Sequence, residues 1–252
     1  MVLVESVCRG LDVLRVVNAQ ADQNLSEISC AVGLPRGTSY RLLITLEAAG
    51  LVERIDGCYR VTQGVCGLSH GFDDDWVGGI ANTVVRELGA KIHWPITLSE
   101  HYAGHVVVRA NTDMESSMTL EPVRIGTRIA MLSTASGRVL LAYASPTKQR
   151  SLLEYVKASE PSAAARLGEH FVEVAAMIRT RGYDIVTTPN GRQTALSVPV
   201  LNDEGLAVAA LAVRYFNTAM APDEAVRRLI PALQTGADQI GRELLARGSM
   251  LH

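Results

Sequence analysis

Residues 36–41, Arg-Gly-Thr-Ser-Tyr-Arg, concentrate two guanidinium groups, two aliphatic hydroxyls and a phenol around one glycine. Guanidinium groups pair with phosphate oxygens and with the O6/N7 edge of guanine, and hydroxyls bind phosphate, so this segment suits a nucleic acid. Further along, Arg54 and Arg60 flank Asp56-Gly57, a pair that favours a two-residue type I′ turn, and they add two cations for phosphate. Other chemistries find less support. Cys8, Cys30, Cys58 and Cys66 lack the close paired spacing of structural zinc sites, so they read as reduced thiols, Cys30 on the apolar side of a helix, and no metal is expected. His70, His93, His101, His105, His170 and His252 are scattered without ligand spacing. No nucleophile elbow, phosphate loop or dinucleotide fingerprint occurs, so neither catalytic residues nor a cofactor are expected. His101 and His105, in HYAGH, read as polar residues at the end of a hairpin.

The elements that must position the arginines follow from periodicity. Ile28, Ala31 and Val32 recur at helical spacing, with Ser26 placed as N-cap and Gly33 as left-handed terminator. Pro35 opens a second helix, whose buried stripe is Ser39, Leu42, Leu43 and Leu46. Gly37, Tyr40, Arg41 and Ile44 then face outward, with Arg36 beside them. Strands at 51–55 and 58–62 close a hairpin that sets Arg54 across from Tyr59 and Glu53 across from Arg60. Two helices and a wing make a winged helix-turn-helix, the competing reading being an αα-hairpin of some helical bundle. A supporting helix is expected over 6–19, with Val7, Leu11, Leu14 and Val17 as its apolar stripe.

At 252 residues the chain exceeds one such unit, and 48% hydrophobic with 20% charged residues provides ample core for a second domain. The expected division is 1–70 for the winged helix, 71–92 for a linker helix and 93–252 for an α+β domain with an antiparallel sheet. Ile80, Val84, Val85 and Leu88 give the linker helix an apolar stripe suited to pairing with another subunit. Beyond it, ITLSEHY, HVVVRA and SMTLEPV read as strands. Helices near 134–144, 147–157 and 168–181, strands near 183–188, 194–201 and 206–216, and a last helix from Pro222 kinked at Pro231 follow. A net charge of −2, with the arginines of the first 70 residues offset by carboxylates, means that any attraction to DNA rests on placement rather than bulk charge. No apolar run reaches the roughly 20 residues of a bilayer span and no signal-like leader is seen, so a cytoplasmic protein with no membrane partner is expected.

Several stretches resemble the IclR family of bacterial transcription regulators: LPRGTSYRLLITLEAAGLVER at 34–54, GTRIAMLSTASGRVLLAYASP at 126–146, RGYDIV at 181–186, SVPVLNDEG at 197–205 and LAV at 211–213. The resemblance implies an N-terminal domain that binds double-stranded operator DNA and a C-terminal GAF-like domain that binds a small organic acid, in dimers or tetramers. Trp94-Pro95 and the run at 219–240 are similar to the branch that controls catabolism of aromatic acids such as hydroxyphenylpropionates. Carried over position by position, the family's effector pocket falls at Met118, Glu121, Ile129, Ala135, Ser136, Pro199, Ala212 and Arg214. The residues themselves favour part of this. Ala135 and Ser136 lie in STASG at a predicted helix start, where free N–H groups attract a carboxylate, although N-capping alone would also select such a cluster. Arg214 departs from the family's small residue and, in an apolar strand, needs a partner: a ligand carboxylate, Glu121 or solvent. Thr187–Ala195 departs as well, lacking acidic residues that many relatives carry. A small-molecule sensor or enzyme of GAF-like fold acting without DNA is the alternative function.

Overall fold

The computed structural model describes residues 3–68, 76–102, 105–168 and 170–248, and the chain divides into two compact units, Met1–Asp73 and Asp74–His252. In the first, helix α1 (Glu5–Ala19) is followed by strand β1 (Gln23–Asn24), α2 (Leu25–Val32), α3 (Arg36–Ala48), β2 (Val52–Ile55), β3 (Cys58–Val61) and the short α4 (Gly64–Gly67). The strands form an antiparallel sheet in the order β1-β3-β2. Val13, Leu14 and Val17 of α1 pack with Ile28, Leu43, Val52 and Tyr59 in one buried core.

Three local expectations change here. The inward face of α1 is Gly10, Val13, Leu14 and Val17, while Val7 and Leu11 are 59% and 47% exposed. A side chain at Gly10 would meet Leu42, so the missing side chain belongs to the packed face, which an apolar count passes over. Helix α2 begins at Leu25, two residues earlier than Ser26 capping requires. Asn24 Oδ1 accepts the N–H groups of Ser26 and Glu27 at 2.9 and 3.1 Å, and Glu27 returns a bond to the Asn24 N–H at 2.8 Å. That reciprocal arrangement satisfies three N–H groups at the helix start and outcompetes a lone serine. Cys30 is exposed, the inward positions of α2 being Ile28 and Ser29.

The second unit opens with a π-helical turn (Trp76–Ala81) that runs directly into α5 (Asn82–Ile92). Its sheet is six-stranded and antiparallel, in the order β6-β5-β4-β9-β8-β7. The strands are β4 (Ile96–Tyr102), β5 (His105–Asn111), β6 (Arg128–Ile129), β7 (Asp184–Thr187), β8 (Gln193–Leu201) and β9 (Ala207–Phe216). Helices α6 (Ala135–Ala142), α7 (Pro146–Ser159), α8 (Pro161–Leu167) and α9 (Phe171–Arg181) cover one face, and α5 with α10 (Pro222–Gly248) cover the other. Val84, Val85 and Leu88 of α5 are buried with Leu229, Leu233 and Ala237 of α10, so the stripe expected to pair subunits is used inside its own domain. Residues 71–75 of the expected linker lie outside the described residues. Pro231 sits within α10 without ending it. No described helix is long and apolar enough to cross a membrane.

The segment SMTLEPV forms no strand. Residues 112–127 make turns and loop, because Asn111 and Asp113 bind that segment through side chains: Asn111 Nδ2 donates to the Val123 carbonyl at 2.6 Å, and Asp113 accepts the Val123 N–H at 2.6 Å. Side-chain bonds of this kind take the place of ladder bonds. A bulge between Leu98 and Ser99 sets the faces of the central strands. Leu98 pairs with Ala110 and faces α10, whereas Ser99 pairs with Val108 and faces α6.

Candidate functional site

Helix α3 is held by the completely buried Ser39 and Leu43, and its opposite side presents Arg36, Gly37, Tyr40, Arg41 and Ile44 to solvent. Thr38 is half-buried at the border of that side. Among the described residues neither Arg36 nor Arg41 has an ion-pair partner. In the wing, Asp56 and Gly57 both take positive φ, 50° and 84°, as a type I′ turn demands, and the register pairs Arg54 with Tyr59 and Glu53 with Arg60. The two wing arginines are nonetheless engaged. Arg54 lies 5.6 Å from the Tyr59 ring centre, and Arg60 Nε donates to Glu53 at 2.7 Å.

The second candidate region lies where α6 meets the sheet. Thr134 caps α6 by accepting the Gly137 N–H at 3.1 Å, which leaves the N–H groups of Ala135 and Ser136 without acceptors among the described residues. Both residues are buried. A Cβ at Gly137 would lie 2.2 Å from the Met131 carbonyl oxygen, so only glycine lets the 130–134 loop fold this closely over the helix start. Ser136 Oγ is 3.5 Å from Ser197 Oγ on β8, and the ladder aligns Ser197 with Ala212 and Ala212 with Thr97. The adjoining row is Pro199, Ala210 and Ser99. This floor is small-residued and hydroxyl-bearing, and the Thr97 and Ser99 hydroxyls are buried with no partner among the described residues. Buried hydroxyls that lack a partner are uncommon, since each carries an uncompensated desolvation cost.

Arg214 lies two residues beyond Ala212, and its Nη2 engages both carboxylate oxygens of Asp113, whose side chain is fully buried. Its Nη1 reaches the Glu121 backbone carbonyl at 3.5 Å, and its Nε is buried with no partner among the described residues. The partner this arginine needed is therefore Asp113, a residue the sequence hides in a loop roughly a hundred positions away along the chain, rather than the Glu121 carboxylate or solvent. Ala135, Ser136, Pro199 and Ala212 are thus brought together, with Arg214 at the margin. Met118 is 43% exposed and Glu121 is exposed in the 112–127 loop, while Ile129 sits on β6, separated from β9 by two strands. Ser133 and Thr134 do not face the region. Ser133 donates to Glu160, whose carboxylate also accepts the Met131 and Leu132 N–H groups at 2.5 and 3.1 Å, and Thr134 donates to the Ala130 carbonyl. Glu160, at the α7–α8 junction, so fixes the loop that leads into α6.

The two histidines of HYAGH are not set for catalysis. His105 Nε2 lies 3.0 Å from the Tyr155 hydroxyl and 3.4 Å from Arg128, while burial, aided by the Lys148 charge, lowers the His101 pKa. Residues 103–104 between them, and His70 and His252, lie outside the described residues.

Comparison with known proteins agrees with this architecture. The model of the IclR helix-turn-helix domain matches residues 6–56, and that of the bacterial transcriptional regulator IclR C-terminal domain matches residues 77–242. The HTH-type transcriptional regulator XynR of Escherichia coli is 27% identical over 84% of this chain and 86% of its own length. The glycerol operon regulatory protein of Streptomyces griseus is 26% identical over 96% of each. A crystal structure of an IclR homolog complexed with 4-hydroxybenzoate, from Microbacterium hydrocarbonoxydans, superposes with a TM-score of 0.72 at 21% identity, covering 96% of this chain and 99% of that one. With domain matches spanning both units, the chain belongs to the IclR family of bacterial transcription regulators, DNA-binding proteins with an effector domain and no enzymatic activity.

Proposed function

We propose that this regulator responds to a small organic acid whose carboxylate is received by the Ala135 and Ser136 N–H groups, with Ser136, Pro199 and Ala212 as surrounding wall. The observation that carries this reading is the pair of uncommitted helix-start donors beside a buried floor with two partnerless hydroxyls. Helix-start donors favour an anion, and hydroxyls without partners favour a ligand with polar atoms of its own. Arg214 contributes its free Nε, its charge being balanced by Asp113, and Met118 and Glu121 enclose the ligand from the loop. An aromatic acid is the class proposed, in line with the homolog complexed with 4-hydroxybenzoate.

In the same reading, Arg36, Gly37, Thr38, Tyr40 and Arg41 meet operator DNA in the major groove, while Arg54 and Arg60 hold phosphate from the wing. Two half-sites related by symmetry call for two reading heads, so the working form is at least a dimer.

The effector reading is tested by calorimetry with benzoates and short aliphatic acids on wild type and Ala135→Pro. Proline is tolerated at the first helical position and Thr134 already has the extended backbone it requires, so the substitution deletes one N–H and keeps the helix. One charged hydrogen bond is worth roughly 1.5–3 kcal/mol, so affinity is expected to fall about ten- to a hundredfold at unchanged melting temperature. An acid that binds the folded variant as tightly as wild type would place the carboxylate elsewhere.

A further inference from the structure

The outward side of α3 carries apolar surface beside its two arginines. Tyr40 and Ile44, one turn apart, are 41% and 44% exposed, and Arg41 lies beside them. Ile44 is β-branched, stiff and without a polar atom, so it cannot reach phosphate or a base edge through hydrogen bonds. A Cβ at Gly37, on the same side, would meet nothing within 4 Å, so packing inside the unit does not account for the glycine. It leaves open space one turn before Tyr40 and two turns before Ile44 along the face that would approach DNA.

Resting on the DNA reading above, we propose that Ile44, flanked by the Tyr40 ring, reads thymine through its 5-methyl group. In the major groove the edges of the four bases present donors and acceptors, and the thymine methyl is the apolar group among them. An exposed isoleucine pressed against guanine O6 or adenine N6 would strip water from a polar atom and give nothing back. Against a thymine methyl it removes apolar surface from water on both partners. Arg41 on one side of Ile44 supplies the charged contact that fixes register, so the face reads a thymine next to a base pair chosen by the guanidinium. Tyr40, four residues earlier and thus adjacent on the helix, walls the methyl from solvent.

The test separates this inference from the reading beneath it. Duplexes are selected from a random-sequence library by capture on the full-length protein. The enriched duplex is then compared by fluorescence anisotropy with versions in which each thymine in turn is replaced by deoxyuridine, which removes only the methyl. Wild type is expected to bind roughly three- to fivefold more weakly at one or two positions, the worth of about one buried methyl. Ile44→Ala, folded by circular dichroism, should bind the thymine duplex more weakly by a similar factor and be indifferent to deoxyuridine at that position, and Ile44→Val should keep part of the discrimination. Equal binding of wild type to every deoxyuridine duplex overturns the inference while leaving DNA reading intact, as does full discrimination retained by Ile44→Ala. Enrichment of no sequence overturns the DNA reading and this inference with it.

Discussion

The outward side of α3 and the α6-facing side of the larger sheet, the two sites proposed above, are built in opposite ways. On α3 the polar groups stand in solvent, the helix being anchored by the buried Ser39 and Leu43 with Leu42 and Leu46 beside them, and Arg36 and Arg41 have no ion-pair partner among the described residues. On the sheet the polar groups are buried or half-buried, and several of them already have partners: Arg214 has Asp113, and Ser197 donates to the Leu211 carbonyl at 3.3 Å. A group in water can lack a protein partner at no cost, whereas a buried one must find a partner or destabilise the fold. A surface reading face is therefore visible from which residues point outward, while a buried pocket is defined by the few donors its neighbours have left over.

Asp113 gives the largest expected effect, because it marks the committed side of the contrast. Asp113→Ala strands the Arg214 guanidinium in a mostly buried place, and breaking such a pair costs about 3–5 kcal/mol, whereas Asp113→Leu with Arg214→Met should recover much of that loss. Chemical denaturation checks it; a loss under about 1 kcal/mol would mean that the pair is hydrated and the two regions less different than described. On the uncommitted side, Arg41→Ala should leave stability unchanged and cost about 1–3 kcal/mol in operator binding, seen as a rightward shift of an anisotropy titration. Unaltered DNA affinity would take Arg41 off the reading face.

Ser99→Ala sharpens the contrast with an effect of opposite sign. Deleting a buried hydroxyl that has no partner should raise the ligand-free protein's stability by about 1 kcal/mol, while weakening binding of an acid that uses that hydroxyl. A destabilised variant would show that the hydroxyl is satisfied by water instead. The smallest effect is expected in the wing. Glu53→Gln breaks an exposed ion pair worth at most about 1 kcal/mol, so stability should barely move, and the released Arg60 should improve DNA affinity slightly, more so at low salt. Weaker DNA binding would instead assign Glu53 to holding Arg60 in its working position.

The winged helix was legible because its signals are local. Gly33, the turn at Asp56-Gly57 and the 39/42/43/46 stripe each act within one or two helical turns or one hairpin, so periodicity and turn chemistry alone determined which side of α3 faces outward and which residues pair in the wing. Even there, Asn24 displaced Ser26 as cap and Gly10 shifted the inward face of α1, since a cap competes with its neighbours and a glycine contributes to packing without hydrophobicity. In the second unit much of the strand and helix order was likewise readable, the exceptions being 112–127, the two-residue β6 and the short α8. Only the tertiary structure decided what those elements hold between them. Asp113 reaches Arg214 and Glu160 reaches Met131 across long stretches of chain, and Thr97, Ser99, Ser136 and Ser197 share a face through a ladder, a bulge and a helix approach that no local pattern encodes. Short-range rules fix where a side chain points relative to its own backbone; which group it meets there depends on segments distant in sequence, and for a buried polar atom that meeting is what makes it structural or leaves it available to a ligand.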